Sequence, residues 1–113
     1  MHIQERQMKT TILDLAKLKK FNDDKRSLEE IWSDDHAKIS LLCLKPGQHV
    51  HTHTHHGNHI WTVVEGEGVF TSGGKSQTIT VGQIVIVPAF EDHGISNEGS
   101  ANLVISSMTV AGD

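Results

Sequence analysis

GQHVHTHTHHGNHIWTVVEG, residues 47–66, holds six of the protein's nine histidines. His49, His51, His53 and His55 alternate with Val50, Thr52 and Thr54. Side chains of an extended chain alternate between two faces, so the pattern predicts four imidazoles on one face of a strand. His59 has the same parity and rejoins that face if the chain between keeps an even register. Imidazole is the commonest metal ligand and suits zinc, nickel, copper and iron. Histidines converging from one strand-loop-strand unit therefore predict a metal centre. The bland alternative is a histidine-rich surface loop that takes up metal adventitiously.

Spacing sharpens the reading. Gly47, His53, His55, His59 and Gly66 stand as G-x5-H-x-H-x3-H-x6-G, and Gly82, Pro88, His93 and Asn97 as G-x5-P-x4-H-x3-N. Together they resemble the two signature motifs of the cupin superfamily, G-x5-H-x-H-x3-E-x6-G and G-x5-P-x-G-x2-H-x3-N. The resemblance covers residues 38–110. Two positions depart from it: His59 stands for the usual Glu and Phe90 for the usual Gly. The resemblance implies an all-β double-stranded β-helix, or jelly-roll barrel, over residues 28–113. Residues 1–27 would be an extension, partly disordered or in contact with a second copy.

The same resemblance implies one divalent transition metal per chain (zinc, nickel, iron or copper) on His53, His55, His59 and His93. His93, from the second motif, would close the site. Three histidines and a carboxylate leave a net +1 on a divalent ion, whereas four neutral imidazoles leave the full +2. Such a centre is a stronger Lewis acid and disfavours magnesium, calcium and manganese. If His59 turns away, three histidines remain. Open coordination positions would mark a catalytic rather than a structural site.

Other residues carry two readings each. His49 and His51 precede the motif near the mouth, either as solvated loop or as carboxylate-binding and proton-transfer groups. Trp61 shares parity with the ligand set, so it faces the interior as pocket wall or simply as core. Phe90 would be a lid or a dimer contact. Glu91 and Asp92 flank His93 as hydrogen-bond acceptors for it, as a general base, or as solvated rim. Cys43 lies in an apolar run and reads as a small core residue.

Composition narrows the class. The chain has 113 residues, enough for one core, with 36% hydrophobic residues and a net charge of −4. No basic cluster appears, which argues against nucleic acid and anionic membrane as partners. One cysteine permits no intrachain disulfide, which fits a reducing cytoplasm. No apolar run reaches the roughly 20 residues of a membrane span.

Along the chain, Ile12 to Phe21 suggests a short strand and then a helical turn. MHIQERQ reads as disordered, with Met8 as a possible start. Ser27-Leu28-Glu29-Glu30 fits a helix start by its capping residues, whereas the resemblance favours a strand from about Leu28 to Trp32. KISLLCLK at 38–45 reads as a buried strand. Beyond it, short β-rich runs separated by Gly-rich turns continue to Val110. The apolar residues Ile12, Leu13, Leu15 and Leu18 exceed the need of one small barrel and suggest a homodimer.

The expected function is metal-dependent action on a small organic molecule inside the barrel. With zinc or nickel the chemistry would be isomerase, lyase or cyclase action; with iron or copper, dioxygenase action. A non-catalytic module that binds or senses a metal or small ligand is the alternative.

Overall fold

The structure, a computed structural model, describes residues 9–110. The readings of residues 1–8, disorder and a start at Met8, lie outside the described residues. Among the described residues, nine strands follow a short helix, α1 (Leu15–Leu18). They are β1 (Ser27–Ser33), β2 (Ala37–Leu44), β3 (His49–His53), β4 (Asn58–Glu65), β5 (Glu67–Ser72), β6 (Lys75–Thr80), β7 (Ile84–Val87), β8 (His93–Ser96) and β9 (Leu103–Val110). One sheet has the order β1-β2-β9-β4-β7 and the other β3-β8-β5-β6. Every pairing is antiparallel. This is the expected jelly-roll of two facing sheets.

Ser27–Ser33 is a strand, not a helix, because pairing with β2 along its length outweighs the local capping signal. The strand expected around Ile12 is absent: residues 10–14 are irregular and lead into α1, whose cap is Asp14.

The apolar run of β2 has a structural cause. Leu42 and Leu44 face inward, where they meet Trp61, Val63, Ile79, Ile95, Leu103 and Ile105. Leu41 and Cys43 face the other way, with Val104, and Leu15, Leu18 and Phe21 of the N-terminal segment cover them. A strand buried on both faces loses the alternating pattern of a half-solvated one. Each leucine so buried contributes about 1.5–3 kcal/mol. Lys19 Nζ donates to Glu65 Oε1 at 2.6 Å, and Gln48 Nε2 donates to the Asn22 carbonyl at 2.7 Å, fastening the segment to the barrel.

Asn97, the last residue of the second motif, is a structural hub. Its Nδ2 donates to the carbonyls of Leu44 and Ala101, both at 2.9 Å, and its Oδ1 accepts from Gly99 N at 3.1 Å. It joins the end of β2 to the β8–β9 turn. Gly66 is needed for a different reason. Its φ is +79°, and a Cβ there would stand 2.1 Å from the Asn102 carbonyl oxygen. No helix among the described residues is long and apolar enough to cross a membrane.

Candidate metal centre

Strand β3 does not keep the alternation that its sequence suggests. Val50 pairs with Ile95 and His53 with His93, so His51 and Thr52 together oppose the single residue Gly94. This two-against-one arrangement is a β-bulge. Gly94 makes room for it: a Cβ there would lie 2.8 Å from the Val50 carbonyl oxygen and 2.9 Å from Thr52 N. The extra residue shifts the parity of everything before it. His53 turns to the interior beside His93, while His49 and His51 are exposed and meet each other instead.

Inside, the ring nitrogens of His53, His55 and His93 converge, with one ligand atom of each lying within 4.8 Å of the others. The His53 and His93 rings are 4.6 Å apart, centre to centre. Their orientations are set from behind. His53 Nδ1 lies 2.8 Å from the His51 carbonyl and His93 Nδ1 lies 3.1 Å from the Glu91 carbonyl. A carbonyl only accepts, so each Nδ1 carries the proton and each Nε2 a lone pair. The acceptor behind His93 is thus the backbone of Glu91 rather than its carboxylate. Asp92 serves the barrel: its Oδ1 accepts from Gly73 N at 2.8 Å and its carbonyl from Ser72 Oγ at 2.6 Å.

His93 is 1% exposed, and its Nε2 is buried without a hydrogen-bond partner among the described residues. Burial holds its pKa below the ordinary imidazole value, against the Nδ1 hydrogen bond to Glu91, with His53 and His55 adding to the lowering. A buried, neutral imidazole whose lone pair faces two more histidines suits a cation. Two nitrogens each about 2.1 Å from one ion lie at most about 4.2 Å apart, so small inward movements complete the set.

His59, on β4, is buried, with its ring 4.2 Å from His55 and 5.0 Å from His93. It stands beside the converging trio rather than within it. Trp61, two residues on, packs edge-on against His93 at 5.3 Å and leaves its buried indole N–H unpartnered among the described residues.

A cavity of about 460 Å³ opens onto this cluster. His51, His53, His55, His59 and Trp61 line it, as do Ser40, Ser107, Thr109, Arg26 and Lys38. Among the described residues, no aspartate or glutamate does. Ser40 pairs across the sheet with Ser107, and Lys38 with Thr109, so the hydroxyls form a strip along the floor. The sequence reading missed these residues. Their one signal was a serine inside the apolar run of β2. His49 and Phe90 are not among the lining residues. Phe90 is exposed, packs against His56 at 5.4 Å, and donates its N–H to the His55 carbonyl at 2.8 Å. Its φ is +69°. The glycine usual at this motif position has no steric objection to such a backbone, whereas a bulky residue is held there at about 1–3 kcal/mol.

Residues 40–110 match the family described as the cupin domain. The chain is 38% identical over 79 residues to the oxalate-binding protein of Thermotoga maritima, a stretch that is 66% of this chain and 65% of that protein. The match therefore spans just under two thirds of the relative's length. Among solved structures, a Thermus thermophilus protein superposes with a TM-score of 0.83 at 27% identity, over 88% of this chain and 95% of that one. A Klebsiella pneumoniae protein described as having a double-stranded β-helix domain superposes at 0.86 with 21% identity, over 93% of each chain. With the family matched across both histidine-bearing motifs, this chain belongs to the cupin domain family.

Proposed function

We propose that this protein binds one divalent transition metal through His53, His55 and His93, with His59 as fourth ligand, and through that metal holds a small carboxylate. The observation that carries the metal is the buried, unpartnered Nε2 of His93, aimed at His53 and His55. The carboxylate is supported by the lining of the cavity. Arg26 and Lys38 bring positive charge to it, the hydroxyls of Ser40, Thr52, Ser107 and Thr109 offer hydrogen bonds, and among the described residues no acidic side chain lines it to oppose an anion. The similarity to an oxalate-binding protein points to the same ligand class. When bound, the ion would supply Lewis-acid polarisation of a carboxylate oxygen. The chain's own part is to orient the imidazoles from behind and to shield the ligand with Trp61. The similarity to a protein named for binding oxalate favours binding over turnover. We also propose a homodimer, supported by the exposed Ile84 and Ile86 on the edge strand β7.

The test is calorimetry on protein stripped of metal and reloaded with nickel or zinc. Wild type should take up an ion tightly, and His93→Ala should weaken that event by more than about 100-fold, beyond the usual effect of losing a supporting residue. Oxalate should bind the loaded protein, not the stripped one, and be recovered unchanged. Tight metal uptake by His93→Ala would remove the centre. Failure of oxalate and related small carboxylates to bind would remove the ligand, and consumption of oxalate would make the protein an enzyme.

A further inference from the structure

The bulge that sends His53 inward leaves a second pair of imidazoles outside. His49 and His51 are both exposed, their rings 4.5 Å apart and nearly perpendicular, with Nε2 to Nε2 at 3.2 Å. Two neutral imidazoles meet this way by sharing one proton between two nitrogens. Nitrogens bound at about 2.0–2.1 Å to one ion, at angles between square and tetrahedral, lie about 2.9–3.4 Å apart. The observed separation falls inside that window, so one ion can replace the shared proton with little movement. The ring that carried the proton on Nε2 then takes the Nδ1–H tautomer.

We propose that His49 and His51 form a second transition-metal site at the cavity mouth, separate from the inner histidines and weaker. His51 lines the mouth, and its carbonyl faces His53 Nδ1, so the outer pair adjoins the inner cluster while lying outside it. Two protein nitrogens leave the remaining positions to water. The expected ions are those that favour imidazole, namely zinc, nickel and copper rather than magnesium or calcium. Inner-site failure does not decide this site, because none of its ligands is shared.

Zinc titration of the full chain, followed by calorimetry and by the imidazole nitrogen resonances of each histidine, tests it. Wild type should show a tight event and a second one at least tenfold weaker, with His49 and His51 resonances moving only in the second. The doubly substituted His49→Gln, His51→Gln protein should lose the second event and keep the first. His93→Ala should lose the first and keep the second. Both replaced residues are exposed, and a tight first event in the double variant reports that it has folded. An unchanged second event in that variant, or a second event that moves other histidines and leaves His49 and His51 still, overturns the proposal.

Discussion

His59 and His93 show how burial sets the chemistry of single residues. His59 replaces a carboxylate within ring contact of His55 and His93. Restoring the acid should alter preference rather than abolish binding. In His59→Glu, the affinity for manganese relative to nickel should rise by roughly tenfold or more, since a hard anionic oxygen replaces a neutral nitrogen. Competition titrations with both metals measure the ratio, and an unchanged ratio would place His59 outside the ligand set. His93 gives a pH dependence whose sign follows from its lowered pKa. In the metal-free protein the unfolded chain takes the proton first, near the ordinary value of about 6.5. Its neutral form therefore contributes full stability above that pH, and stability is lost as pH falls from there toward the folded pKa. Urea midpoints of metal-free protein should drop between about pH 7.5 and 5.5, and drop less in His93→Gln.

At the scale of elements, the β3–β8 pair decides which histidines meet. Gly94 sits where a methyl group would press on the backbone of Val50 and Thr52. Gly94→Ala should therefore act on the bulge itself. Either the strands separate, at about 1–3 kcal/mol as for other overpacked positions, or the bulge is expelled and His53 leaves the interior. Both lower metal affinity, so thermal melts together with nickel binding check the prediction. Full retention of stability and affinity would show that the bulge tolerates a side chain. The positions of the histidines in the chain were legible from spacing, yet the side each faces was not. A bulge depends on a partner strand distant in the chain, and nothing local in HVHTH announces one.

Across the whole molecule, part of the apolar surplus near the N-terminus is used within the chain itself. Leu15 and Leu18 cover the outer side of Leu41, Cys43 and Val104 within the same chain, and only Ile12 of that group is 91% exposed. Exposed apolar side chains also lie on β7, where Ile84 and Ile86 are 60% and 68% exposed at a sheet edge. Sedimentation at micromolar concentration should give a dimer, and Ile86→Lys should shift it toward monomer by at least tenfold in dissociation constant. A wild-type monomer, or a dimer indifferent to Ile86→Lys, would count against this edge as the interface. Cys43 belongs to the covered layer, and burial raises its thiol pKa. It should therefore resist alkylation in the folded protein.

Sequence alone determined the jelly-roll, the presence of His53, His55, His59 and His93 near one another, and the turns at Gly66 and Gly82. The jelly-roll and the histidine set rest on the resemblance of the two motifs to the cupin signatures, and the turns on local backbone demands that the residues themselves carry. Only the tertiary structure decided that His49 and His51 are exposed, apart from the inner histidines, and that Ser40, Ser107 and Thr109 line the cavity. It also decided that Leu15 and Leu18 pack on Leu41, Cys43 and Val104 of the same chain. These depend on which strands become neighbours and in what register. A one-residue shift in register reverses the face of every side chain beyond it.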